Sequence, residues 1–436
     1  MNTESSQKDY FITPEQLSVG LFVFIDLPWF SHPFSFNSFK IRSNDQIQTL
    51  RGLGVKRFRY DPDRSDAPQF PAAAMATVEP VATTAEASLP ESADAADPAL
   101  AAKRERVERL REQRVRMGNV EKAFVKAASI MRNINRNLQA RPKECIEEIG
   151  ELVQQMAQAF LEAPELTLHV MGEKAGGEEV YYHGLNTSIL SMMLARDMGM
   201  AMEEGKVLGL GALMHDIGLI EIPDRVLKKT DELTHAESEL RKLHCEYGVR
   251  IGQKAGLPGS VLSIIFQHHE MADGTGYPKG LKGETIHPLA RIVSLANYYD
   301  NLCNPVNTAK ALTPHEALSL MFAQRRAKFD AKVLQILIKN LGVYPPGSIV
   351  KLSNDALALV QSVNPQKPLR PWVVVYDPDV PKEEAIMLDL EQEPDINISK
   401  AIRPGQLPAE VFRYLSPRTR VTYFFDADSR GGGGRS

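Results

Sequence analysis

The chain of 436 residues is too long for one small domain and long enough for two or three. Its 51 Lys+Arg against 55 Asp+Glu leave a formal net charge of −4, which argues against a protein that coats DNA, RNA or an anionic membrane. With 43% hydrophobic residues it has material for a sizeable core, yet no apolar run approaches a membrane span. The polar start Met1–Tyr10 lacks a signal-peptide core, and Cys145, Cys245 and Cys303 form neither a CxxC pair nor a disulfide framework. The expectation is a cytoplasmic protein.

Residues 1–62 read as a small α+β domain. Leu21–Ile25 is an apolar, β-rich run, Phe34–Phe36 and Phe39–Ile41 alternate like half-buried strands, and Val55–Tyr60 makes a last strand. A short helix is expected over Ile47–Leu53, stopped at Gly54. Residues 63–102 shift to Ala, Pro, Ser, Thr and Glu, too poor in large apolar groups to offset their ordering entropy, and read as a flexible linker. Residues 103–141 form a charged connecting helix with Leu110, Met117, Phe124 and Met131 at heptad spacing. That spacing fits a homodimeric coiled-coil seam or, more simply, one amphipathic helix docked on the domain behind it. Residues 142–343 carry helix-length periodicity, and 344–428 carry short strands, with a hairpin turning near Asn354-Asp355 and further strands at Pro371–Tyr376, Ala385–Leu390 and Arg420–Phe425. Residues 429–436 read as a disordered tail. The expected fold class is multidomain and mainly α: a helical core between a small N-terminal α+β domain and a small C-terminal β domain.

The helical stretch holds His183, His215-Asp216, His244, His268-His269 and Asp300. His215-Asp216 sits in the apolar frame LGLGALMHDIGLIEIPD, where two ionisable groups are costly to bury without strong partners. Metal coordination satisfies several imidazoles and carboxylates in one place. Imidazoles suit first-row metals, a carboxylate can bridge two of them, and two ions about 4 Å apart can hold a bridging hydroxide and neutralise a breaking phosphate ester. Glu179 precedes His183 by four residues, so a helix puts both on one face. It reads as a ligand for an additional metal, a partner orienting His183, or a solvent-facing side chain. His32, His169, His235, His287 and His315 read as structural or surface residues, and Cys303 as a packed thiol.

The segments HDIGLIEIPD (215–224), HHEMADGTGYPKGLKG (268–283) and ARIVSLANYYDNL (290–302) resemble the HD-GYP domain, a bacterial branch of the HD metal-dependent phosphohydrolases. The resemblance implies hydrolysis of cyclic di-GMP to pGpG and on to GMP, in second-messenger signalling. It implies two divalent ions, Fe or Mn. His183, His215, Asp216 and Asp300 match one site, His244, His268 and His269 the second, and Asp216 bridges. Glu179 matches the residue that recruits a third ion in some members. His215 and Asp216 would be the catalytic pair. Gly276, Tyr277 and Pro278 form the signature loop, expected to shape the substrate pocket or to meet a signalling partner of the diguanylate cyclase type.

Two departures stand out against the family pattern. The lysine usual four residues after the first motif histidine is Leu219, and the arginine-containing RPYR-like segment is replaced by Val306-Asn307-Thr308-Ala309. Lys229 is a nearby substitute for the missing cationic contact to the substrate phosphate, as are Lys228, Lys279, Lys282 and Lys310. These departures keep two alternatives open: a catalytically weak or inactive regulatory module, and an HD phosphohydrolase acting on another nucleotide.

Overall fold

The computed structural model describes residues 10–27, 32–34, 36–66, 126–134, 136–138, 140–161, 167–170, 179–364, 367–378, 380, 382, 385–415 and 423–426. The chain forms two compact units, Met1–Glu112 and Gln113–Ser436.

In the first unit, strands β1 (Tyr10–Ile12), β2 (Phe22–Phe24) and β3 (Ser38–Lys40) precede helix α1 (Asn44–Gly52) and strand β4 (Phe58–Asp61). The sheet is antiparallel, in the order β1-β4-β2-β3. Alternation decides its faces: Phe58 and Tyr60 are buried and Arg59 is not, while Ile12 and Val23 join them under Ile47 and Leu50 of α1. Ser43 caps α1 by accepting from the Gln46 N–H. The strand expected over Phe39–Ile41 is β3, the described residues Phe34 and Phe36 belong to no strand, and β1 is an addition. Residues 63–66, assigned to the linker from composition, are tied to the sheet: Ser65 Oγ accepts from Phe22 N at 2.9 Å, and Lys40 pairs with Asp66 at 2.6 Å. The rest of the expected linker beyond Asp66, the charged run 103–116 and Leu110, Met117 and Phe124 lie outside the described residues, as does the tail 429–436.

The second unit has helical residues 126–134, where Met131 is buried. Then come α2 (Pro142–Leu161), strand β5 (Thr167–Val170), α3 (Glu179–Asp197), α4 (Met202–Met214) and α5 (Asp224–Leu227). They are followed by α6 (His235–Lys242), α7 (His244–Lys254), α8 (Gly259–Gln267), α9 (Pro288–Cys303), α10 (Pro314–Gln324) and α11 (Ala331–Leu341). Beyond its charged first turn, Glu203–Lys206, helix α4 is apolar all round, which suits a central position. Its Leu208 and Ala212 share one core with Leu185 and Ile189 of α3, Ile264 of α8 and Val293 and Tyr299 of α9. The three cysteines are buried and unpaired. No helix among the described residues is long and apolar enough to cross a membrane.

The C-terminal part adds β6 (Ile349–Leu352), β7 (Leu357–Ser362), β8 (Trp372–Val375), β9 (Ile386–Asp389), β10 (Ile398–Ile402), helix α12 (Ala409–Leu415) and β11 (Tyr423–Asp426). The β6–β7 hairpin turns at Asn354-Asp355 as expected, with Asp355 at φ 68°. The sheet path runs β10-β6-β7-β5-β11, with β8 on β7 and β9 on β8. Strand β5 comes from inside the helical stretch 142–343, so the C-terminal sheet takes in a strand from beyond its expected boundary.

Candidate metal centre

Five helices and one 3-10 turn meet here. His215 ends α4 and is fully buried, and Asp216 opens the 3-10 turn Ile217–Glu221 that follows. His183 comes from α3, His244 begins α7, His268 ends α8 with His269 next to it, and Asp300 lies on α9. Gly218 permits this convergence. A Cβ there would overlap the His244 carbonyl and the Gly248 N–H, so only glycine lets the turn rest on the start of α7.

Asp216 is a fork. Its Oδ2 lies 3.7 Å from His183 Nε2 and 3.5 Å from His215 Nε2, while its Oδ1 lies 3.3 Å from His244 Nε2 and 3.4 Å from His268 Nε2. The ring nitrogens also face one another in pairs, His183 and His215 at 3.2 Å and His244 and His268 at 3.1 Å. The Nδ1 atoms of His215, His244 and His268 donate to the carbonyls of Ala212, Arg241 and Ile265, at 2.6 to 2.8 Å. A carbonyl only accepts, so Nδ1 carries the hydrogen and Nε2 is left with its lone pair. Two facing lone pairs repel unless a positive charge lies between them, either a shared proton or a metal ion.

The electrostatics agree. Burial disfavours charge on His244, but the Asp216 hydrogen bond outweighs it and raises the imidazole to about 10. His183 is likewise raised against its burial, by Asp300 and then Asp216. Burial, aided by neighbouring rings, drives His268 down to about 4 and His269 well below its ordinary value. Asp216 stays well below the carboxylate range because the surrounding imidazoles overcome the cost of its burial. Without an ion, one imidazole of each facing pair therefore draws the proton.

The donor set fits divalent ions. Two groups have all their ligand atoms within 4.8 Å of one another: His183, His215 and Asp216, and Asp216, His244, His268 and His269. A separation of 3.1–3.2 Å is what two ring nitrogens subtend when each lies about 2.0–2.1 Å from one ion. The chemistry of imidazole with a bridging carboxylate suits first-row metals.

Asp300 stands behind this cluster. Its Oδ2 accepts from His183 Nδ1 at 2.6 Å, and its Oδ1 accepts from Asn186 and Asn304 at 2.8 Å each. The two asparagines were not singled out from sequence. The signal was there, because Asn186 is three residues from His183 and Asn304 four from Asp300, one helical turn in each case. Glu179 is the first residue of α3, one turn before His183, and its side chain lies outside the described residues.

The signature loop is fastened rather than loose. Asp273 Oδ1 accepts from the N–H and hydroxyl of Thr275, and Lys328 reaches both residues. A Cβ on Gly276 would overlap the backbone of His269–Met271. Tyr277 stacks on His269 at 4.5 Å, and Pro278 follows it. Lys229 donates to Glu237 at 2.6 Å, and that hydrogen bond is the main reason Glu237 falls to about 2. Leu219 is half-buried in the 3-10 turn, and Asn307 donates to the Thr230 carbonyl at 3.2 Å.

The HD domain family matches residues 151–333, a domain of unknown function (DUF3391) matches 11–149, and a KOW domain associated with HD domain matches 349–410. A protein named cyclic di-GMP phosphodiesterase PA4108, from Pseudomonas aeruginosa, is 30% identical over 372 residues, covering 83% of this chain and 83% of its own. The cyclic di-GMP phosphodiesterase response regulator RpfG of Xanthomonas campestris pv. campestris is 36% identical over 34% of this chain and 39% of its own. A 3'3'-cGAMP-specific phosphodiesterase 2 of Vibrio cholerae is 29% identical over 38% and 32%. The last two matches span well under half of either chain, whereas the first runs through most of both. Together with the HD match across the clustered histidines, it shows that this chain belongs to the HD-GYP family of HD-domain phosphohydrolases.

Proposed function

We propose that this protein is a metal-dependent phosphodiesterase that opens cyclic di-GMP to pGpG and carries it on to GMP, in the cytoplasm. The observation that carries the reading is the Asp216 fork, one carboxylate oxygen toward each of two facing imidazole pairs. His183, His215 and Asp216 would hold one ion, and Asp216, His244, His268 and His269 the second, with Fe or Mn the matching metals. Glu179 is the candidate for a third ion. Such ions supply a water activated for attack on phosphorus and neutralise charge as the ester bond breaks.

The chain's own residues set the stage for that chemistry. The three i−3 carbonyls hold His215, His244 and His268 in one tautomer with Nε2 inward. Asp300, itself held by Asn186 and Asn304, orients His183, and the resemblance makes it a ligand of the first ion as well. The low-lying Asp216 remains a carboxylate through the working pH range, so both of its oxygens stay acceptors.

Incubating the purified protein with cyclic di-GMP, pGpG and 3'3'-cGAMP under Mn2+ or anaerobic Fe2+, with products separated by chromatography, tests the reading. Conversion of cyclic di-GMP to pGpG is expected, and no turnover of any of the three would overturn it. Leu219 and the engaged Lys229 bear on one competing reading, a regulatory module that has lost catalysis. Leu219→Lys distinguishes the two. A charge-assisted hydrogen bond is worth about 1.5–3 kcal/mol, so kcat/KM should rise roughly tenfold or more in an enzyme that lacks only this grip, and stay at background in a module that has lost catalysis.

A further inference from the structure

Metal-binding histidines almost always have the second ring nitrogen hydrogen-bonded, which fixes the plane of the ring. Four of the clustered imidazoles obey this, His183 through Asp300 and His215, His244 and His268 through backbone carbonyls. For His269 no hydrogen bond to either ring nitrogen occurs among the described residues. Its ring instead packs against three others, His268 at 4.1 Å, His244 at 5.1 Å and Tyr277 at 4.5 Å, the last nearly parallel at 24°.

The place of Tyr277 is in turn set by a buried carboxylate. Glu270 is only 1% exposed. Its Oε1 accepts from Lys279 N at 2.7 Å and its Oε2 from Leu281 N at 2.8 Å, closing the loop just beyond Tyr277-Pro278. On the near side, Tyr277 N donates to the His269 carbonyl at 3.1 Å, and Gly276 lies against the backbone of His269–Met271. The Glu270 carbonyl accepts from Ser294 Oγ of α9 at 3.0 Å, which anchors the clamp to the helical core.

We propose that Glu270 is a positioning residue: by clamping the loop at Lys279 and Leu281 it presses the Tyr277 ring on His269, and this stack does for His269 what a hydrogen bond does for the other imidazoles. The inference rests on the metal reading of the cluster. It gives the signature loop a task inside the site, distinct from any partner it meets. A carboxylate suits the task because it offers two acceptors and no donor to two backbone N–H groups. Glutamine turns a donor toward one of them and loses half of the clamp.

The test uses the full chain and two readouts. The first is Mn2+ titration counted by electron paramagnetic resonance. The second, on metal-free protein, is the rate of diethyl pyrocarbonate modification at each histidine, read by peptide mass mapping. In Glu270→Gln, Glu270→Ala and Tyr277→Ala, one of two ions should bind about 10–100-fold more weakly while the other keeps its affinity. His269 should be modified several-fold faster, with His215 unchanged. Tyr277→Phe, which keeps the ring, should retain the Mn2+ affinity that Tyr277→Ala loses. Because both residues act through one contact, Glu270→Ala with Tyr277→Ala should cost no more than Tyr277→Ala alone.

Unchanged Mn2+ binding and unchanged His269 reactivity in Glu270→Gln and Tyr277→Ala would overturn the proposal. So would additive losses, or losses spread evenly over both ions with a lowered Tm, which mark a merely structural loop anchor. If wild-type protein takes up no Mn2+, the metal reading fails, and the metal-free modification rates still decide whether Glu270 and Tyr277 govern His269.

Discussion

Asp216 and Asp300 are both carboxylates beside His183, yet their surroundings assign them different work. Asp216 has ring nitrogens at both oxygens, whereas Asp300 is fully buried with one oxygen on His183 and the other on two asparagine amides. Amidation separates the roles. Asp216→Asn puts an amide N–H toward one of the two imidazole pairs, so it should retain at most one ion per chain by elemental analysis and lose turnover. Asp300→Asn can still accept from His183 through its amide oxygen. If Asp300 only orients His183, both ions should remain and kcat/KM should fall about 10–100-fold, as for other partners behind a ligand. Loss of the first ion in Asp300→Asn would show that it is itself a ligand.

Among the elements, the 3-10 turn after His215 has little tolerance for change. Gly218→Ala forces the turn off the start of α7, and overpacking of this kind costs about 1–3 kcal/mol. A lower Tm together with selective loss of the second ion, whose His244 opens α7, is the expected outcome. A variant with wild-type Tm and two ions would show that the contact has room to relax. None of this could be read from a single glycine in an apolar run, because its cause is a helix 26 residues further on. The candidate ligands stood out in the sequence because ionisable residues in apolar frames have few physical excuses. Hairpin β6–β7 was legible from its turn residues, and α1 from its apolar spacing. Strand β10 and helix α12 were not, since their residues are half polar and become ordered by packing on β6 and β7. Glu270 was hidden for the same reason: its partners are backbone N–H groups, which every residue but proline has.

Over the whole molecule, every candidate ligand belongs to the unit Gln113–Ser436, while the sheet of that unit is closed by a strand drawn from among its helices. Strand β5 pairs with β11 over four residues, Thr167 with Asp426 through Val170 with Tyr423, but with β7 only at His169 and Ser362. Helix α3, which carries His183, begins nine residues after the end of β5. A chain ending at Leu415 keeps every candidate ligand and removes the main partner of β5. Four residues of strand are too few to persist on one remaining bridge, so hydrogen exchange over 167–170 should quicken, and with it exchange at the start of α3. If the sheet helps to hold α3 in place, kcat/KM should drop while exchange around His268 on α8 stays as in the full chain. Wild-type kinetics with wild-type exchange in α3 would mean that the helical core holds His183 without help. The C-terminal sheet would then be an independent module that borrows a strand.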